Sequence, residues 1–456
     1  MFSLSCISVG LALTACEGSP PAQTSSGSKP HAGEPPPVTT ATANPATPVK
    51  SEALPPPGSG NTPPAAGELN TDVRNANGFT FKVLSRMRSP QPERKAPENA
   101  LVSGTSMRQA LGTTYIGARG PTAREMATAL SLDNDPKIAA RLARAELDAW
   151  QASRGNAELN IASRLWVSSD FALQPDFVGT AESAFGAAPA TVDYAKPDDA
   201  RKTINSWVAE KTKDKIPDLL PQGSVDPRTR LVVTNAIWFK GSWQFPFPKA
   251  ATKDEAFKVD GTRTVTAPMM HLTDSFRFAT QPGLKILEMR YAGSSLAMLV
   301  VLPDDPQPSG LAKIESTLSS GGADTLDEWT SALANARVNV TLPRFKFRSG
   351  GAMNTMLQDL GMKIAFTDKA DFSGVADVSP GRAGERLYIN QVFHQTWISV
   401  DELGTEAAAA TGVTMRTTSL ETGPVVDFKA DHPFLFLIQD TKHGRLLFAG
   451  RLATPK

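Results

Sequence analysis

Of the residue types that do catalytic chemistry, histidine and cysteine are scarce in this 456-residue chain, and no catalytic motif gathers the others. Five histidines are scattered along it, and its two cysteines, Cys6 and Cys16, lie near the N-terminus. No G-x-S-x-G, H-E-x-x-H or phosphate-loop pattern occurs, and the Asp and Glu residues read as solvated surface. His394 stands alone as a catalytic or metal-binding candidate, and nothing calls for a cofactor or metal. The 47 basic and 46 acidic residues leave a net charge of +1, which argues against a nucleic-acid partner. What remains is a segment whose chemistry would be conformational: Gly404-Thr405-Glu406-Ala407-Ala408-Ala409-Ala410-Thr411. Four alanines favour a helix. Yet a strand-like run, Trp397-Ile398-Ser399-Val400, precedes them, and Thr411-Gly412-Val413-Thr414 follows with lower helix propensity. Small side chains suit a stretch that slips between existing strands. Gly404 allows a turn before it, and Thr405 is short enough to lead. The plainer alternative is an exposed alanine-rich linker.

The elements that would position this segment begin after a long N-terminal leader. Leu4, Ile7, Val9, Leu11 and Leu13 form an apolar run too short to span a membrane as a mature helix. It ends in Leu13-Thr14-Ala15-Cys16, which resembles a bacterial lipobox, although no Lys or Arg precedes it. The resemblance implies a signal peptide over residues 1–15 and a lipid on Cys16 that anchors the chain to a membrane. Glu17, rather than Asp, points to the outer membrane or cell surface, with release into the extracellular space as a further destination. Loss of Cys6 and acylation of Cys16 would leave an exported chain without a disulfide, stabilised by packing alone. Residues 16–68 are rich in proline and lack any aromatic residue, so they cannot bury enough apolar surface to order themselves. They read as a tether with a reach of about 40 Å.

From Leu69 to Lys456 apolar runs and aromatic residues return, with enough length for one large core or two modest ones. Helical periodicity marks residues 106–116, 123–130 and 199–211, the last with Ile204, Trp207 and Val208 as its buried face. Strand patterns follow at 231–239, 295–302, 338–342, 434–438 and 446–448. Asn235 interrupts the first of these and needs partners if buried. Helices followed by many strands predict an α+β fold.

From about Asn77 to Pro455 the chain resembles the serpins, the serine protease inhibitor family. The resemblance rests on Asn99-Ala100-Leu101-Val102-Ser103, Ser106-Met107-Arg108-Gln109-Ala110-Leu111 and Ile204-Asn205-Ser206-Trp207-Val208. It continues through Thr234-Asn235-Ala236-Ile237-Trp238-Phe239-Lys240-Gly241, Leu342-Pro343-Arg344-Phe345, Asp431-His432-Pro433-Phe434 and Phe448-Ala449-Gly450-Arg451. It implies a serpin domain over 69–456 with three β-sheets, eight or nine helices and an exposed reactive-centre loop. It also implies a monomeric suicide inhibitor of an extracellular or periplasmic serine protease. The cut loop would insert into the central sheet and trap the acyl-enzyme. The alternative within the family is a non-inhibitory binding or scaffold protein.

The same resemblance assigns roles. Glu402, Gly404, Thr405, Glu406, Ala407, Ala408, Ala409 and Ala410 form the hinge. Ser103, Ser106, Asn235, Trp243, Arg344 and His394 belong where the sheet opens, with Arg344 and Glu402 as an exposed ion pair. Family spacing puts the reactive bond at Thr418-Ser419, with Leu420 and Arg416 as alternatives. A small residue before that bond suits an elastase-like protease. Gly104 stands where the family usually has proline, which would loosen the backbone, and Gln395 and Ser399 replace commoner charged residues.

Overall fold

The structure is a computed structural model that describes residues 63–87, 98–378, 386–406 and 424–455. Its elements run α1 (Ala66–Arg86), β1 (Ala100–Val102), α2 (Gly104–Tyr115), α3 (Gly120–Leu130), α4 (Pro136–Arg154), β2 (Glu158–Ser168), β3 (Phe171–Leu173), α5 (Pro175–Phe185), β4 (Ala190–Val192) and α6 (Pro197–Lys211). There follow β5 (Leu231–Ser242), β6 (Lys253–Lys258), β7 (Thr264–Gln281), β8 (Leu284–Arg290), β9 (Leu296–Pro303), α7 (Pro308–Ser331), β10 (Ala334–Pro343), β11 (Phe345–Ala352) and α8 (Asn354–Asp359). The chain closes with β12 (Ala376–Val378), β13 (Gln391–Val400), β14 (Gly404–Thr405), β15 (Val426–Lys429), β16 (Phe434–Asp440) and β17 (Arg445–Leu452). This is the expected α+β architecture: three sheets and, among the described residues, eight α-helices, with α7 broken at Gly322.

The helix α1 starts at Ala66, ahead of Leu69, where the composition shifts. The reason is local. The Glu68 carboxylate accepts the Ala65 backbone N–H at 2.8 Å, closing the first turn. In α6 the buried face is Ala200, Ile204, Asn205 and Val208, while Trp207 is only partly covered. Asn205 is buried because its amide serves Leu220 twice, donating to the carbonyl at 3.0 Å and accepting the N–H at 2.9 Å. Trp207 instead meets Trp166 edge-on at 5.4 Å, with the Arg164 guanidinium 4.2 Å above its ring.

The central sheet runs β11-β13-β14-β5-β2-β4. Its strand β5 is covered on both faces, which is why residues 231–239 read as an unbroken apolar run. Leu231, Val233, Ile237 and Phe239 face the main cores, whereas Val232, Ala236 and Trp238 pack outward beneath Ile204 and Val208 of α6. Behind it lies the larger sheet, β1-β17-β16-β9-β8-β7-β10-β15 with β6 on β7, and a small pair, β12-β3, completes the set.

Gly104 does the opposite of loosening the chain. It is buried at the first turn of α2, and a Cβ there would lie 2.7 Å from the Thr80 Cα of α1. Only glycine lets the two helices meet so closely.

Candidate functional site

The site lies where β13 and β5 meet. The two strands pair in parallel from Gln391 opposite Val232 to Trp397 opposite Trp238. Above that point the chain turns back at Asp401, whose carboxylate accepts the N–H groups of Leu403 at 2.8 Å and Gly404 at 3.2 Å. It re-enters the sheet as β14, antiparallel to both neighbours: Thr405 opposite Val400, and Gly404 and Thr405 opposite Ser242 and Gly241. The hinge therefore already occupies the upper mouth of a seam that is closed below.

Gly404 is required here by contact as well as by the turn. A Cβ at Gly404 would stand 2.0 Å from the Gly241 carbonyl oxygen. Thr405 is fully buried, and its hydroxyl shares a 2.7 Å hydrogen bond with the Tyr291 phenol. Burial pushes that phenol well above its ordinary range, the Thr405 bond pulling it back only in part. Tyr291 stacks on Trp243 at 4.7 Å, and Trp243 in turn ties down the turn. Its indole N–H donates to the Asp401 carbonyl at 3.0 Å and its backbone N–H to the Leu403 carbonyl at 2.9 Å. At Glu406 the backbone takes a left-handed φ of 49°, its N–H reaching the Ser399 carbonyl at 2.7 Å while its carboxylate pairs with Lys215.

Arg344 and Glu402 do pair, but not as an exposed couple. The Glu402 side chain is 3% exposed against 43% for Arg344. Glu402 Oε1 also accepts the Thr252 hydroxyl at 2.5 Å and Arg344 Nε at 2.8 Å. Burial raises the Glu402 pKa, and these hydrogen bonds outweigh it and hold the carboxyl below its usual range. The base of the hinge is thus pinned by an acid that loses its compensation if Arg344 is removed.

Lower in the seam a buried polar chain joins the strands. The backbone N–H of Ser103 can only donate, and it points at His394 Nε2 at 3.3 Å, so that nitrogen is bare. The proton therefore sits on Nδ1, which donates to Asn235 Oδ1 at 2.6 Å. The Asn235 amide gives its two hydrogens to Ser106 Oγ at 2.5 Å and Ser163 Oγ at 2.6 Å. Ser103 Oγ caps α2 by accepting the Ser106 N–H at 3.2 Å. The imidazole and the amide each have one possible orientation. Burial drives the His394 pKa down to about 3, the Asn235 contact opposing it weakly, so the ring is neutral. His394 and Asn235 are register partners across the seam, and a strand entering it must break their bond.

All six residues expected at the opening region converge here, as do Glu402, Gly404, Thr405 and Glu406. Ala407–Ala410, Arg416, Thr418, Ser419, Leu420 and Cys16 lie outside the described residues. Tyr291, Thr252, Ser163 and Lys215 belong to the site and have no signal of their own in the sequence. Only the pairing of β2 with β5, which sets Ser163 opposite Asn235, reveals Ser163 as a partner of that amide.

Comparison with known proteins agrees with this geometry. Residues 74–455 match the family model described as Serpin (serine protease inhibitor). The chain is 38% identical over 365 residues to the leukocyte elastase inhibitor of Bos taurus, covering 78% of this chain and 93% of that protein. An uncharacterized serpin-like protein of Thermococcus kodakarensis is 35% identical over 394 residues, covering 86% and 87% respectively. The solved structure titled Cleaved Serpin 42Da matches with a TM-score of 0.74 at 30% identity, over 85% of this chain and 100% of that one.

Two predictions follow from the site's electrostatics. Between about pH 3 and 6.5 the unfolded chain protonates His394 and the folded one does not, so stability falls as pH drops through that window. His394→Gln keeps a donor and an acceptor but cannot titrate. Its melting temperature should fall less than wild type between pH 6.5 and 4, and parallel curves would remove His394 as the source. Arg344→Ala should cost roughly 1–2 kcal/mol, discounted for the exposure of the arginine. Adding Glu402→Gln should recover part of that loss, and strictly additive losses in the double mutant would refute the pinned-acid reading.

Proposed function

This chain belongs to the serpin family, and from that footing we propose that it is an irreversible suicide inhibitor of an exported serine protease with an elastase-like pocket. It is not an enzyme. One observation carries the reading. Gly404 and Thr405 lie between β13 and β5, antiparallel to both, while the rest of that seam is a parallel ladder. A strand that continued inward would exchange one parallel ladder for two antiparallel ones, which are slightly more stable per residue. Each added backbone bond contributes about 0.5–1.5 kcal/mol net.

Side-chain order supports the same path. Thr405 points inward to Tyr291 and Glu406 outward to Lys215. Continued at period two, Ala407, Ala409, Thr411 and Val413 would face the core. Ala408, Ala410 and Gly412 would pass beneath the cover of α6, where small side chains are easily admitted.

The proposed reaction starts when the protease serine attacks the Thr418 carbonyl. The Thr418-Ser419 bond breaks, the Ser419 amine leaves with a proton from the protease's general acid, and Thr418 stays esterified to the protease. Insertion then has to outrun hydrolysis of that ester. The bovine relative is named as an inhibitor of leukocyte elastase, which favours Thr418 and a small-pocket target over Leu420 or Arg416.

Incubation with an elastase-like protease should give a complex that survives SDS and a C-terminal peptide that begins at Ser419 by mass. The intact molecule should melt well below the cleaved one. A cleaved product with no complex and no gain in melting temperature would instead mark a non-inhibitory binding protein. We also place the chain at a membrane through lipid on Cys16, with the proline-rich tether lifting the domain clear. The N-terminal peptide of the exported protein should then carry acyl chains on Cys16, and an unmodified Cys16 would dismiss the anchor.

A further inference from the structure

The loop that follows α6 crosses the outer face of the central sheet directly above the seam. Lys213 Nζ lies 5.5 Å from the Trp238 ring, and Lys215 Nζ lies 4.8 Å from the Trp397 ring. Trp238 and Trp397 are register partners, one on β5 and one on β13, meeting edge-to-face at 6.5 Å. The two lysines therefore grip opposite sides of the seam at its uppermost parallel pair. Each is anchored beyond its ring. Lys213 pairs with Glu158 of β2 at 2.5 Å. Lys215 pairs with Glu406 of the hinge, and its carbonyl accepts Arg348 Nε of β11 at 2.8 Å.

The loop between them is tense and tied to the helix. Lys213 and Asp214 take φ of 49° and 59°, a region that side chains other than glycine seldom occupy. The Asp214 N–H donates back to the Ala209 carbonyl at 2.8 Å, and the Lys215 N–H to the Thr212 carbonyl at 3.0 Å. An inserted strand would part β13 and β5 from one interstrand spacing, about 4.8 Å, to roughly 10 Å, and with them the two rings that the lysines of this one strained turn now cover together.

We propose that Lys213 and Lys215 form a clasp that holds the seam closed and sets how fast the severed loop enters the sheet. It thereby sets the share of encounters that end in a trapped protease. The clasp rests on the inhibitory reading for its consequence, but not for its existence. Insertion parts the two rings and so disturbs both lysine contacts, and Glu406 must release Lys215 as the hinge straightens from its left-handed conformation.

Lys346 supplies an internal control. Its Nζ also sits over Trp397, at 5.9 Å, but it comes from β11, on the same side of the seam. The double variant Lys213→Met/Lys215→Met should exchange the amide hydrogens of residues 391–397 and 232–238 faster than wild type. Its limiting rate of complex formation at saturating protease should rise by about tenfold. Lys346→Met should match wild type in both measurements, and Lys215→Arg, which keeps a cation on the ring, should stay close to it. Unchanged exchange in the double variant, or an equal acceleration in Lys346→Met, overturns the clasp. If the wild-type chain forms no complex with any protease, the inhibitory reading fails, and the exchange arm alone still decides whether the clasp exists.

Discussion

The parallel contact between β13 and β5 is the constraint on which the rest of this molecule depends. A parallel pair cannot be closed by a short turn, and its slanted hydrogen bonds are slightly weaker than those of an antiparallel pair. Here the chain leaving β13 turns back at once and lodges Gly404 and Thr405 between the two strands. On the proposed inhibitory reading, the sheet is held in an arrangement with a better one adjacent to it. The turn at Asp401, the Trp243–Tyr291 stack and the buried Glu402 all act on the few residues where the change would begin.

Such an arrangement needs a barrier, and the barrier is polar. With apolar side chains alone, the seam would be held by its backbone ladder only, because apolar contacts are non-directional. The chain from Ser103 through His394 and Asn235 to Ser106 and Ser163 has a fixed donor and acceptor at each step. Separating β13 from β5 leaves a buried imidazole N–H and an amide oxygen without partners until the incoming strand supplies them. An unsatisfied buried group costs about 1–3 kcal/mol. That is enough to slow the change and small beside the backbone bonds that a full strand would add.

The fold class was legible because its signals are local. Alternation at 338–342 and the apolar run at 231–239 declare strands, and Asn235 declares itself by interrupting that run. Gly404 and Thr405 drew notice because four alanines that favour a helix follow a strand-like run, and the alanines themselves lie outside the described residues. Other parts were hidden because they depend on which strands become neighbours. Tyr291 ends an ordinary strand and becomes the partner of Thr405 only when β8 passes beneath the hinge. The burial of Glu402 and the true reason for Gly404 are likewise properties of packing against Thr252 and Gly241. Trp207 looked like core by helical spacing, yet the helix rolls to bury Asn205, whose amide binds Leu220.

The large sheet carries a consequence for how the protein is made. Two of its interior strands, β16 and β17, follow every other strand of that sheet in the chain, yet they lie between β1 and β9 in the finished sheet. Until residues 434–452 emerge, β9 lacks its neighbour and Phe434, Phe436, Phe448 and Leu452 are missing from the core. The sheet therefore cannot close until residues 434–452 have been made, and a truncation before Phe434 removes two interior strands and leaves β1 without a partner rather than trimming a margin.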